Sequence, residues 1–89
     1  MLNPVRSSQF KKDLKKAKRQ GKDLNLLQSV VITLANEEPL EKHFRDHELT
    51  GNWRGYSECH VKPDWLLIYK VDGKNLKLAR LGSHSELFD

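Results

Sequence analysis

His60-Val61-Lys62-Pro63-Asp64-Trp65-Leu66-Leu67-Ile68-Tyr69-Lys70 sets a histidine, a proline and an aspartate directly before the most apolar run of the chain, Trp65 to Tyr69. A run this short, rich in aromatic and aliphatic side chains, reads as a buried strand. Pro63 lacks an amide donor and biases Lys62 toward extended geometry, so the strand is expected to start at about Asp64 with His60 on the turn before it. Titratable groups at the mouth of a rigid central strand are where a site would need them.

Working outward toward the C-terminus, Asp72-Gly73 is a strong turn signal, and Asn75 to Leu81 returns as another strand. Gly82-Ser83-His84-Ser85 reads as a further turn, with Leu87-Phe88 as a short final pairing. On the other side, Trp53 to Cys59 alternates loosely enough to be a strand. Glu37 to Gly51 is charged and aperiodic; it reads as loop with one helical turn and contains His43 and His47. Farther upstream, Phe10, Leu14 and Ala17 recur at helical spacing after an N-cap at Ser7 or Ser8, and Gly21 fits the left-handed residue past the helix end. Asp23 caps a second helix with Leu27, Val30, Val31 and Leu34 as its core stripe, ending near Asn36 because Pro39 follows. The short joint at Gly21-Lys22 makes the pair a helical hairpin, and residues 2–6 form an edge strand interrupted by Pro4. The expected fold is one α+β domain over residues 1–89, βααβββ, with the hairpin packed on a small antiparallel sheet.

Eighty-nine residues hold one core. The chain has no apolar run of membrane-spanning length, no signal-peptide pattern at its start, and a single cysteine, Cys59, which precludes an internal disulfide. A cytoplasmic protein is expected. The net charge of +4 is uneven: residues 1–35 carry eight basic side chains against Asp13 and Asp23, a local +6. A basic helix on a near-neutral body suggests a polyanionic partner, with a solvated lysine face as the plain alternative. Lys15, Lys16 and Arg19 are the residues such a partner would meet.

Three site chemistries compete. A metal site on His60 and Asp64 is opposed by Pro63, which breaks the helix an i, i+4 pair would need, and one cysteine is poor ligation for structural zinc. A nucleophilic Cys59 is opposed by its strand position, where a thiol is a small hydrophobe. Acid–base chemistry on a phosphodiester uses more of the chain. His47, His60, Asp64 and His84 can move protons, Arg54, Lys62 and Arg80 can hold phosphate oxygens, and Trp65, Tyr56 or Phe88 can stack on a base. Asp64 is expected to be the base, directly or by polarising a histidine, and His84 the acid.

The run Asp46-His47-Glu48-Leu49-Thr50-Gly51-Asn52-Trp53-Arg54-Gly55-Tyr56 resembles the D-H-x-L-x-G-x-W-x-G-Y segment of YafQ-type toxins in the RelE/ParE superfamily. His60 to Lys70 resembles their H-x-x-P-D-W-x-L-I-Y-K, and Arg80 to Phe88 their closing R-x-G-x-H-x-x-L-F. The resemblance implies a compact RelE-like fold and a type II toxin, an mRNA interferase that cuts mRNA in the ribosomal A site without a metal or other cofactor. It implies a DinJ-like antitoxin as partner and no membrane association. His47, His60, Asp64 and His84 match the family's catalytic positions, and Trp65, Arg80 and Phe88 match positions at the active site or substrate. A translation inhibitor that binds RNA or the ribosome without cutting is the alternative from another class.

Overall fold

The computed structural model describes residues 1–88. Its strands are β1 (Asn3–Arg6), β2 (His47–Glu48), β3 (Ser57–Lys62), β4 (Trp65–Asp72) and β5 (Asn75–Gly82). Its α-helices are α1 (Ser8–Arg19), α2 (Leu24–Ala35) and α3 (His84–Phe88), with single 3-10 turns at Lys42–Phe44 and Gly51–Trp53. The strands form one sheet in the order β1-β5-β4-β3-β2.

The apolar run lies in the middle of that sheet because both of its faces are covered. Trp65, Leu67 and Tyr69 face the core shared with Phe10, Ala17, Leu27, Val30 and Leu34 of α1 and α2. Leu66 and Ile68 point the other way, under Leu87 of α3 and the partly buried Leu49, Trp53 and Tyr56. Each fully buried Leu or Ile contributes about 1.5–3 kcal/mol relative to exposure, so the two-sided strand anchors both layers.

The helix ends follow the chain's capping signals. Ser7 Oγ accepts from the Phe10 amide at 2.9 Å, Asp23 Oδ1 accepts from the Leu26 amide at 3.0 Å, and Gly21 sits at φ +72°. β1, although an edge strand, pairs with β5 in parallel, from Asn3↔Asn75 to Arg6↔Leu78. The other strand pairs are antiparallel, so the sheet is mixed.

Three local expectations are corrected. The strand expected at Trp53–Cys59 begins at Ser57, because the 3-10 turn at Gly51–Trp53 and a left-handed Gly55 (φ +91°) fold Trp53 and Tyr56 over the outer face. Their rings meet edge to face at 5.3 Å. His60 is therefore inside β3, paired with Leu66, and not on a turn. The final pairing at Leu87-Phe88 is instead α3, closed by a reciprocal capping box. Ser83 Oγ accepts from the Glu86 amide at 3.2 Å, and Glu86 Oε1 accepts from the Ser83 amide at 2.9 Å.

Candidate active site

The alternation of β3 puts Glu58 and His60 on one face, two residues apart. Both are buried, Glu58 at 4% and His60 at 8% exposure. His60 Nε2 lies 3.1 Å from Glu58 Oε1, while His60 Nδ1 lies 3.2 Å from the Pro63 carbonyl. A carbonyl only accepts, so Nδ1 carries a hydrogen, and Nε2 faces the Glu58 carboxyl. His47, on β2, donates from Nδ1 to the Arg45 carbonyl at 2.8 Å and brings Nε2 to 3.5 Å from the same Glu58 oxygen. One buried carboxylate thus holds two imidazoles.

The β3–β4 turn adds Asp64, and α3 adds His84 as its first residue. Asp64 Oδ1 accepts from the His84 amide at 3.0 Å and lies 3.0 Å from His84 Nδ1. These bonds, the backbone one first, hold the Asp64 carboxyl below its ordinary range. With Nδ1 engaged, His84 Nε2 is left to act. The His84 and His60 rings are 5.5 Å apart, the His60 and His47 rings 6.4 Å apart, and Phe88 sits one helical turn on from His84 with ring centroids 6.2 Å apart. The structure therefore brings His47, His60 and His84 together at Glu58, with Asp64 and Phe88 against His84.

Arg80, on β5, is turned toward α1 and is not among the described residues that touch the histidines. Its Nε donates to Asp13 Oδ2 at 2.8 Å, and the Leu81 amide donates to the same oxygen at 2.9 Å. Trp65 offers no free ring face for a base: it is 3% exposed, buried in the helix-side core by the strand alternation. Lys62 is exposed at the end of β3, and Arg54 is exposed after the second 3-10 turn. Lys15, Lys16 and Arg19 are exposed on α1, and Lys16 is paired with Glu86 of α3, the helix that begins with His84. A cleft of about 400 Å³ runs between α1 and β5, lined by Lys12, Lys16, Arg19 and Arg80. Cys59 is fully buried, and burial first, then Asp46 and Glu58, pushes its thiol up to about 12. That thiol is a packing group.

Two residues were missed by the sequence reading, and each had a signal. Glu58 is the acid that strand alternation aligns with His60. Asp13 is the lone acid of α1, at i+3 from Phe10 and i−4 from Ala17, inside the buried stripe where charge needs a partner.

A family profile described as the bacterial toxin of type II toxin–antitoxin system, YafQ, matches residues 2–89. The chain belongs to the YafQ toxin family. It is 45% identical over 83 residues to the mRNA interferase toxin YafQ of Escherichia coli K12, covering 92% of this chain and 90% of that protein. It is similar to a solved E. coli DinJ–YafQ complex at TM-score 0.92 and 41% identity, covering both chains in full. A metal-bound toxin from Helicobacter pylori matches at TM-score 0.94 and 49% identity, covering 99% of this chain and all of that one. The α+β architecture of this YafQ toxin is thus that of its solved relatives. Among its described residues no helix is long and apolar enough to cross a membrane.

Proposed function

We propose that this toxin is a ribosome-dependent endoribonuclease that cuts mRNA in the ribosomal A site by metal-independent acid–base catalysis, and that a DinJ-like antitoxin neutralises it. The observation that carries the reading is the engagement of Asp64 Oδ1 with both the amide and Nδ1 of His84, which leaves Nε2 free beside a second imidazole. The 2′-oxygen of the ribose attacks the neighbouring phosphorus, the bond to the 5′-oxygen breaks, and a 2′,3′-cyclic phosphate and a 5′-hydroxyl result. The step needs a proton acceptor, a proton donor and hydrogen-bond donors for the phosphate oxygens.

The hydrogen-bond pattern supports a reversal of the roles expected for Asp64 and His84. An aspartate held below its usual range is a weak base, so Asp64 orients His84, and His84 Nε2 takes the 2′-hydroxyl proton. His60 is the donor for the leaving 5′-oxygen once its Nε2–H turns from Glu58 to the RNA. His47 and Arg80 hold phosphate oxygens, Phe88 stacks on a base, Arg54 and Lys62 meet the RNA backbone, and Lys15, Lys16 and Arg19 meet ribosomal RNA. The names of the E. coli relatives, an mRNA interferase and a toxin solved with DinJ, support the same substrate and partner.

Substituting His84→Ala should lower single-turnover cleavage of ribosome-bound mRNA by about 10²–10⁴-fold with ribosome binding retained. Full-rate cleavage would remove His84 from the chemistry. Binding without any new transcript ends in the unsubstituted protein would favour the non-catalytic inhibitor.

One observation favours a metal-dependent reading. Ligating atoms of Glu58, His60 and His84 lie within 4.8 Å of one another, a carboxylate and imidazole set that suits zinc or copper. An ion there would compete for the nitrogens that acid–base chemistry needs. Cleavage that persists in chelator and falls on adding zinc or copper supports the metal-free reading; cleavage abolished by chelator and restored by the ion supports the other.

A further inference from the structure

Beside the histidine cluster, on the far side of His60, is a second cavity of about 390 Å³. Its walls are mainly apolar, from Phe44, Val61 and Pro63, and its cations are Arg45 and Lys62. Among the described residues no carboxylate lines it. The volume lies in the range of pockets that hold small organic ligands, and an aromatic wall with cations at the mouth suits a nucleotide: a π-face for the base, charge for the phosphate.

The segment that builds this wall also positions the site. The His43 and Phe44 rings pack 4.0 Å apart, so the Phe44 ring is braced from one side. Arg45 adopts φ +50°, a left-handed conformation that a non-glycine residue keeps only when its surroundings impose it. Its amide donates to the Lys42 carbonyl at 3.0 Å, and its own carbonyl accepts from His47 Nδ1. Asp46 is then bound by the Tyr69 hydroxyl. Phe44 in the pocket and His47 at Glu58 are three residues apart on one tethered turn, and His60 is a wall of both spaces.

We propose that this pocket is a nucleotide subsite that seats one base of the RNA next to the scissile phosphate, with Phe44 and Pro63 against the base and Arg45 and Lys62 toward its phosphate. The proposal rests on the ribonuclease reading and supplies the part that reading lacks, a source of base preference.

The test separates the pocket from the catalysis. Titrating the intact toxin with each of the four ribonucleoside 5′-monophosphates, followed by NMR, should give saturable shifts at Phe44, Val61 and Lys62 that differ between bases. Phe44→Leu keeps the apolar packing but removes the π-face, and should weaken the preferred nucleotide roughly 5- to 150-fold. Lys62→Gln, on an exposed side chain, should weaken all four nucleotides alike and reduce the salt dependence. On translating ribosomes, Phe44→Leu should alter the base found at one fixed position beside the cut. Binding of nucleotide by a protein that cleaves no mRNA would sink the nuclease reading and leave the subsite standing. No shift at millimolar nucleotide, an unaltered cleavage preference in Phe44→Leu, or shifts at these residues with an antitoxin peptide alone would each overturn the subsite.

Discussion

Glu58 shows how a residue can be readable and still be overlooked. The alternation that makes β3 a strand aligns its carboxylate with His60, yet a lone acid in a strand carries no motif of its own. His60, Asp64 and His84 were legible because the chain gathers histidines and an aspartate at strand ends. Trp65 was misjudged as a stacking ring because alternation fixes only which residues share a face, not which face the helices cover. Cys59 yields a prediction at the same scale. Being fully buried, with its thiol raised to about 12, it should resist alkylation at pH 8 in the native toxin and react at once in denaturant. Mass spectrometry after a timed iodoacetamide pulse reads both states; rapid native labelling would mean that the β3 core opens locally.

At the scale of elements, α3 matters most and was the least legible. Its Ser83-His84-Ser85-Glu86 box is a helix-start signature, but a five-residue helix has no apolar period to confirm it. The longer helices have both stripe and cap, and their ends fell where those signals stand. Gly82 lets α3 lie close: a Cβ there would come within 3.1 Å of Glu86 Oε1 and 3.3 Å of Leu87 Cδ2. Gly82→Ala should therefore push Glu86 and Leu87 back by a few tenths of an ångström and displace His84 from Asp64, at a cost to the fold of about 1 kcal/mol where Leu87 cannot give way. Thermal unfolding measured beside single-turnover cleavage should find activity falling at temperatures where the variant is still folded. Unchanged cleavage would mean that α3 absorbs the methyl without moving.

The same helix is tied to α1 through Lys16 and Glu86. That pairing, then the Ser83 amide, lowers the Glu86 carboxyl from 4.5 to about 2. A carboxyl depressed in the folded state stabilises fully above its unfolded value, and the benefit is lost as pH falls from about 4.5 to about 2. Both side chains are partly solvated, so the contribution is about 1 kcal/mol at most. Lys16→Ala should lower stability in urea at pH 6 and match the unsubstituted protein near pH 2. An equal loss at both pH values would assign the effect to packing of the lysine stem.

Over the whole molecule, the α+β class, the helix pair and the β-meander were all legible, because each rests on a local period and a local cap. The parallel seating of β1 was not, since no local signal says which edge a distant strand will join. That seating has a kinetic side. Asn3 pairs with Asn75, and Ser7 Oγ donates to the Ala79 carbonyl across 72 residues of chain. Closing so long a loop is entropically late, so the β3–β5 meander forms first and the N-terminal strand locks on last. During synthesis the opening residues leave the ribosome with nothing to pair against, and neither the sheet edge nor His84 exists until the final stretch has emerged. A nascent chain stalled short of β5 is therefore open and without its site.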